Sequence, residues 1–229
     1  MHAPTSIAGL LWVGLLAAVP TSEPPGTRRA QADGGECGAW RIEYVANVNL
    51  RLSDTPMGAG DGVYKVGPGS VVLRFEDKDR QPGGHVDMLS YRTSENFTIV
   101  SKALFWKTTV KTRATTRATP DQCGVVANGS LQSNTLVWSS PVRGCRTDGT
   151  LHCDGSLCGK FGAPPEGTSE LHVPPHPVTF KPFGFGKGLT TFTMDYALSS
   201  RSESPKQTAH VALSAREVRR SCVPVPTCR

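Results

Sequence analysis

Residues 39–52 carry the feature that most constrains the fold of this chain, an alternation of apolar and polar side chains. Successive side chains of an extended chain point to opposite sides, so a period of two predicts a β-strand with one dry and one wet face. We expect the even positions to be buried and Arg41, Asn47 and Asn49 to be exposed. The apolar set is Trp40, Ile42, Tyr44, Ala46, Val48, Leu50 and Leu52.

A strand of this length must twist and coil, which suits a barrel wall or a strongly curved sheet. It would span ~43 Å at ~3.3 Å per residue, well beyond the usual ~5–6 residues. The 24 glycines and 18 prolines among 229 residues favour many turns and few long helices. We therefore predict an all-β fold, an antiparallel barrel or a strongly curved half-barrel or sandwich of about eight to ten strands, with a long first strand and little helix.

The N-terminal segment predicts export. Residues 7–19 form an uncharged apolar run that is too short to cross a bilayer but fits the core of a signal peptide. We expect residues 1–32 to be a signal peptide and flexible lead-in, cleaved between Ala18 and Ala32, or else a membrane-anchored N-terminus. Residues 33–229 are then a single disulfide-stabilised β domain in the periplasm, at the cell surface or outside the cell, without a transmembrane span.

Seven cysteines in an exported chain are typical of disulfides with one cysteine left over. A hairpin centred on Ser133 and Asn134 would bring the cysteines near its two ends together. A glycine-containing turn separates another pair, and antiparallel pairing of the first and last strands would join a third. The predicted bonds are Cys123–Cys145, Cys153–Cys158 and Cys37–Cys222, with Cys228 free; the alternative to the last bond is Cys222–Cys228.

A second interpretation of one cysteine pair is a metal site. The spacing Cys153-x4-Cys158-x13-His172-x3-His176 is close to that of a Cys2His2 zinc site. Zinc fingers place both histidines on one helical face, whereas Pro174 and Pro175 lie between these two, and proline breaks a helix interior. We therefore expect no metal, with this set of four as the alternative.

Residues 107–118 also alternate, with cations on odd positions. Because the period is two, Lys107, Lys111, Arg113 and Arg117 share one face of the predicted strand. They are either a stripe that binds an anionic polymer or the solvated outer face of a half-buried sheet. The net charge of +6 is compatible with both.

No motif for catalysis is present, whether a G-x-S-x-G elbow, an H-E-x-x-H helix or a phosphate-binding loop. Residues 143–188 are rich in Gly, Pro and Cys and predict a long loop. Since long loops often carry function, a hydrolase-type site in this loop is one hypothesis. No catalytic residue can be named there, so we lean against an enzyme, and we expect no cofactor.

Two non-enzymatic hypotheses remain. The first is a binding module whose interior holds an apolar or amphipathic, lipid-like molecule against inward aromatic side chains, unless those side chains simply fill the interior. The second is a structural or adhesive envelope protein that binds an anionic surface polymer; no nucleic-acid partner is expected. The candidate ligand-binding residues are Trp40, Tyr44, Phe192 and Tyr196.

Overall fold

The computed structural model describes residues 37–53, 61–103, 106–156, 158, 167–178, 180–199 and 208–225. They form eleven antiparallel strands in one sheet and the 3₁₀ turn Lys187–Leu189. The predicted all-β class is confirmed. The strands are β1 Ala39–Ser53, β2 Gly62–Lys78, β3 Gln81–Ala103, β4 Trp106–Ala118, β5 Ala127–Gln132, β6 Thr135–Trp138, β7 Val142–Asp154, β8 Gly167–Val178, β9 Phe183–Gly184, β10 Thr191–Ser199 and β11 Thr208–Val223.

Strand β1 is the long first strand that the alternation predicts, and it lies inside the sheet. It pairs along its whole length with β11 on one side and with β2 on the other. Its even positions from Ile42 to Leu52 are buried, while Asn47 and Asn49 are exposed and Arg41 is half-buried. Because both neighbours are antiparallel, the N-terminal end of β1 meets the C-terminal end of β11.

Strand β3 divides the sheet, because its two halves have different partners on the side away from β2. Residues 85–88 pair with β5, whereas residues 92–103 pair with β4. Pairing then runs β3, β5, β6 and β9, and an isolated bridge between Phe185 and Phe192 returns it to β10. Together with β11, β1 and β2, these strands form a closed ring of pairing. Strands β4, β7 and β8 continue from the second half of β3 as an arm.

Aromatic side chains fill the interior of the ring. The Phe183 and Phe192 rings stack with centroids 4.7 Å apart, and Phe185 packs edge-on against Phe75 and Phe192. Tilted and edge-to-face contacts of this kind add to the stabilisation from apolar burial. The ring therefore holds a packed core where the described aromatic residues meet.

The predicted loop over residues 143–188 is wrong, because most of it is strand. Strands β7 and β8 pair with each other, and β7 also pairs with β4. The many glycines and prolines of this segment predict a loop, but at these positions they are compatible with a strand. Pro174 and Pro175 lie in β8, which pairs only with β7 among the described strands, and proline is tolerated where no ladder hydrogen bond is needed.

Two of the three predicted disulfides are present, Cys37–Cys222 and Cys153–Cys158. The first bond fits the register between β1 and β11, in which Trp40, three residues after Cys37, lies opposite Cys222. The predicted Cys123–Cys145 bond is wrong: Cys145 is a free, buried thiol, and Cys123 forms a disulfide with a different partner. Residues 1–32, with the predicted signal peptide, and Cys228 lie outside the described residues.

The Cys123–Cys145 prediction fails because the hairpin ends early. Ser133 and Asn134 do form its turn, and β5 and β6 pair about it from Gly129 to Trp138. Beyond that point the Asp121 carboxylate accepts hydrogen bonds from the backbone N–H groups of Cys123 and Val125, which folds that segment into a turn of its own. Cys145 lies instead on β7, opposite Ala118 of β4.

Candidate functional site

The outer face of β4 carries the predicted basic stripe, Lys107, Lys111, Arg113 and Arg117. All four side chains are exposed, and the residues between them alternate toward the interior. Because β4 is paired with β3 and β7, its backbone is held on both sides. The four cations therefore project from one surface with the two-residue repeat of a strand, ~6.8 Å for each step of two.

The neighbouring strands place mostly uncharged side chains beside the central part of this stripe. On β3, Thr98 lies opposite Lys111 and Asn96 opposite Arg113. On β7, Thr150 lies opposite Arg113. Hydroxyl and amide groups at these positions can donate hydrogen bonds to an anion that the cations attract.

His152 extends the central part of the stripe across β7. It lies opposite Lys111, and its Nδ1 atom lies 2.9 Å from the Thr168 hydroxyl of β8. A histidine in this position adds a further positive charge to the surface when it is protonated.

One end of the stripe is partly neutralised. Arg92, Arg117 and Arg146 lie side by side on β3, β4 and β7, an arrangement in which like charges repel. Asp148 offsets this repulsion: its carboxylate lies 2.8 Å from Arg146 Nε and 3.8 Å from Arg117 Nη2.

His172 completes this group from β8, with its Nδ1 atom 2.7 Å from Asp148 Oδ1. Burial acts against the ionised carboxylate, but hydrogen bonds from Arg146 and His172 outweigh it and lower the pKa of Asp148. Asp148 is therefore a fixed internal counterion at this end of the stripe.

The other three cations have no such counterion. Among the residues that the structure describes, Lys107, Lys111 and Arg113 form no ion pair with an acidic side chain. Two aspartates of the adjoining strand β7 lie on the same face, Asp148 opposite Thr115 and Asp154 opposite Thr109, but neither forms an ion pair with these three cations.

The four candidate residues for an apolar ligand do not line one described surface. Tyr44 and Phe192 are buried in the ring with their centroids 5.1 Å apart, and the Tyr44 hydroxyl donates a 2.8 Å hydrogen bond to the Leu189 carbonyl. Trp40 is half-buried and donates its indole N–H to Asp77 at 2.6 Å. The backbone of Tyr196 pairs with Val211 on β11, and its side chain lies outside the described residues.

The alternative zinc set is wrong. Cys153 and Cys158 are bonded to each other, so neither sulfur is available as a thiolate ligand. His172 is held by Asp148, and the side chain of His176 lies outside the described residues. No group of three or more histidine, cysteine or acidic side chains able to hold a metal ion occurs in the described part of the chain.

Sequence reasoning missed the inner face of β4. Three of its inward residues are threonines, Thr108, Thr112 and Thr116, and all are buried. Thr112 and Thr116 flank Ala114, which lies opposite a buried acid, Glu95 of β3. The repeated threonine at every fourth position was the available signal, since an apolar face would not be expected to carry it.

The fold and this surface define an antiparallel all-β domain in which the outer face of one internal strand, β4, is basic. None of its described helices is long and apolar enough to span a bilayer. No protein-family model matches the sequence, and no curated protein matches it. Among solved structures, it is similar to Ail, the attachment invasion locus protein of Yersinia pestis, in complex with the heparin analogue sucrose octasulfate. That match has a TM-score of 0.38 and 6% identity over 80% of this chain and 99% of that chain.

Proposed function

We propose that this protein is an exported structural or adhesive β domain that binds an anionic polymer at the cell envelope through the outer face of β4. The observation that supports this proposal is the exposed set Lys107, Lys111 and Arg113, which have no acidic partner among the described residues. Unpaired cations fixed on a rigid strand repel one another, and a bound polyanion would relieve that repulsion.

The spacing of the cations favours a polymer over a small anion. Lys111 and Arg113 are ~6.8 Å apart along β4, and Lys107 is a further ~13 Å from Lys111. A single sulfate or phosphate would contact one or two of these groups, whereas a chain with repeated charges would contact them together. Each contact releases counterions from the polymer, which makes such binding depend strongly on salt.

A second region of the surface could also contact the polymer, the row formed by Arg92, Arg117 and Arg146. Its arginines are partly neutralised by Asp148, so binding there requires the polymer to compete with an internal carboxylate. The stripe from Lys107 to Arg113 is therefore the primary contact, and the row adds affinity at its end. Arginine at this end is also suited to bidentate contacts with sulfate, phosphate or carboxylate.

Charge reversal tests the proposal. The variant K111E/R113E is compared with R51E/R216E, which makes the same change in net charge at exposed positions of β1 and β11. Binding to heparin as a sulfated probe, and to a carboxylated glycan, is measured by calorimetry at low salt. We expect K111E/R113E to lose at least tenfold in affinity and R51E/R216E to lose little.

Equal losses in the two variants would mean that only the net charge of the domain matters, and the proposal would then be wrong. Duplex DNA serves as a third probe. Equal affinity for DNA and glycan at every salt concentration would show that the stripe attracts any polyanion and would remove the assignment to an envelope polymer.

A further inference from the structure

One aspartate lies between the two parts of the basic surface. Asp148 of β7 lies opposite Thr115 of β4, which places it level with the space between Arg113 and Arg117. On its other side it lies opposite His172 of β8. Asp148 therefore separates the stripe that ends at Arg113 from the arginine row that contains Arg117.

Three basic side chains from three strands converge on the Asp148 carboxylate. Arg146 Nε lies 2.8 Å from Oδ2 and 3.1 Å from Oδ1. His172 Nδ1 lies 2.7 Å from Oδ1, and Arg117 Nη2 lies 3.8 Å from Oδ2. Positive donors that converge on one anionic group are the arrangement with which proteins hold sulfate, phosphate and carboxylate. The row is therefore an anion site whose occupant in this structure is a side chain of the same chain.

The occupant cannot leave the site by diffusion. Asp148 lies two residues from Arg146 on the same strand, so its carboxylate stays beside the row whatever the solution contains. A tethered group acts at an effective concentration on the order of millimolar. A single sulfate or phosphate has no such advantage, and it must also approach the negative charge of Asp148. A polymer that is already bound to the stripe has the same advantage as Asp148, because its next charged groups are held near the row.

We propose that Asp148 makes this surface selective for anionic polymers over small anions. The inference rests on the proposed function and names the class of partner that the same surface accepts. Small anions compete with a tethered carboxylate and lose, whereas a polymer anchored at Lys111 and Arg113 competes on equal terms and reaches the row. Asp148 is thus a specificity-determining residue that contacts no ligand with its own charge.

Removal of the carboxylate should open the row. D148A leaves Arg117, Arg146 and His172 around the space that the carboxylate filled, and it joins the row to the stripe as one positive surface. D148N keeps the size of the side chain and removes only its charge. We expect both variants to bind heparin about threefold more tightly than the wild type at low salt, the size expected for one surface ion pair.

D79N is the matched control for charge. Asp79 is exposed in the turn between β2 and β3, at the end of that hairpin with which β4 does not pair. D79N makes the same change in net charge as the Asp148 variants and leaves the row untouched. Calorimetry with heparin at low salt should show a clearly smaller gain for D79N than for D148N.

Inorganic sulfate tests the small-anion side of the inference. Sodium sulfate is titrated against NaCl at equal ionic strength, and the Nε–Hε signal of Arg146 is followed by NMR. We expect a saturable shift of this signal in D148A and none in the wild type or D79N. Far-UV circular dichroism checks the fold of each variant, and D148N takes the place of D148A if D148A does not fold.

A double-mutant cycle connects the two measurements. If Asp148 masks Arg146, R146Q should lower heparin affinity more in the D148A background than in the wild type. Equal losses in the two backgrounds would mean that the two residues act independently, and the inference would then be wrong.

Three further results would overturn the inference. They are an equal gain in heparin affinity for D79N and D148N, saturable binding of sulfate to the wild type, and no binding of sulfate to D148A. Heparin binding that neither Asp148 variant strengthens would refute this inference and leave the proposed function standing. Absence of heparin binding in the wild type and in every variant would refute the proposed function and this inference with it.

Discussion

The hydroxyl of Tyr44 donates a hydrogen bond to the carbonyl oxygen of Leu189, at 2.8 Å and across 145 residues of chain. It ties β1 to the 3₁₀ turn that precedes β10. Leu189 has a positive φ of 62°, a backbone conformation that residues other than glycine rarely adopt. This bond therefore helps to hold a strained backbone beside the aromatic core of the ring.

Removing this hydroxyl should destabilise the protein. Tyr44→Phe keeps the ring packing against Phe192 but leaves the Leu189 carbonyl without its partner. We expect a loss of about 1–2 kcal/mol in the free energy of unfolding, measured by urea denaturation. An unchanged urea midpoint would mean that the bond contributes nothing to stability.

A substitution on the buried face of β1 should lower the free energy of unfolding by more than Tyr44→Phe does. Ile42 is fully buried, so Ile42→Ala should lower the free energy of unfolding by about 2–5 kcal/mol. Val63 is 67% exposed on β2 and serves as the control, because Val63→Ala removes little buried area and should change it by less than ~0.5 kcal/mol. Similar losses for the two variants would contradict the register of β1.

The two described disulfides should differ in their contribution to stability. Cys37–Cys222 spans a sequence separation of 185 and Cys153–Cys158 a separation of 5. By the chain-entropy model, the long-range bond contributes about 5 kcal/mol and the short one about 2 kcal/mol. We therefore expect C37S/C222S to lower the urea midpoint clearly more than C153S/C158S. The opposite order would indicate that effects in the folded state outweigh loop entropy.

The pH dependence of stability should carry the signature of Glu95. Its pKa is raised in the folded state by burial, so folding favours the protonated form. The stability that this gives is complete below the usual glutamate pKa, ~4.3, and is lost as the pH rises toward the folded value. The free energy of unfolding is measured by urea denaturation at a series of pH values and constant ionic strength. Over this range the wild type should lose stability relative to Glu95→Gln. Parallel curves for the two proteins would exclude a buried, protonated Glu95.

Much of the fold follows from alternation along the sequence. The even positions of residues 39–52 predict the buried face of β1, and the pairing of the first and last strands predicts the Cys37–Cys222 bond. The first prediction succeeds because a period of two depends on local chain geometry alone. The second depends on pairing between the two ends of the chain, where Cys37 precedes β1 and Cys222 lies near the end of β11. The Ser133–Asn134 hairpin is local and is confirmed, but only as far as its short strands extend.

The failures have a common cause, which is pairing between distant segments. Glycine and proline have low strand propensity and therefore predict loop over β7 and β8, but pairing with neighbouring strands overrides that propensity. Extending the hairpin places Cys145 beside Cys123, whereas the tertiary fold aligns β7 with β4. The hydrogen-bonded contacts of Glu95, Thr116 and Thr147 cannot be predicted, because these residues come from three strands that the sequence does not show to be adjacent.

The basic surface of β4 is predictable from the sequence only in part. Alternation predicts that Lys107, Lys111 and Arg113 share an exposed face, and the structure places them there. It does not predict the Arg92, Arg117, Arg146 row or the counterion Asp148. Those features depend on the register between β3, β4 and β7, which only the folded sheet reveals.

The salt dependence of glycan binding tests the central claim most directly. The logarithm of the association constant for heparin is plotted against the logarithm of the NaCl concentration for the wild type and for K111A/R113A. Each cation that contacts the polymer adds about one to the magnitude of the slope. The account predicts that the double variant reduces this magnitude by about two, and that R51A/R216A leaves it unchanged. The same slope for K111A/R113A as for the wild type would contradict the assignment of polymer binding to the outer face of β4.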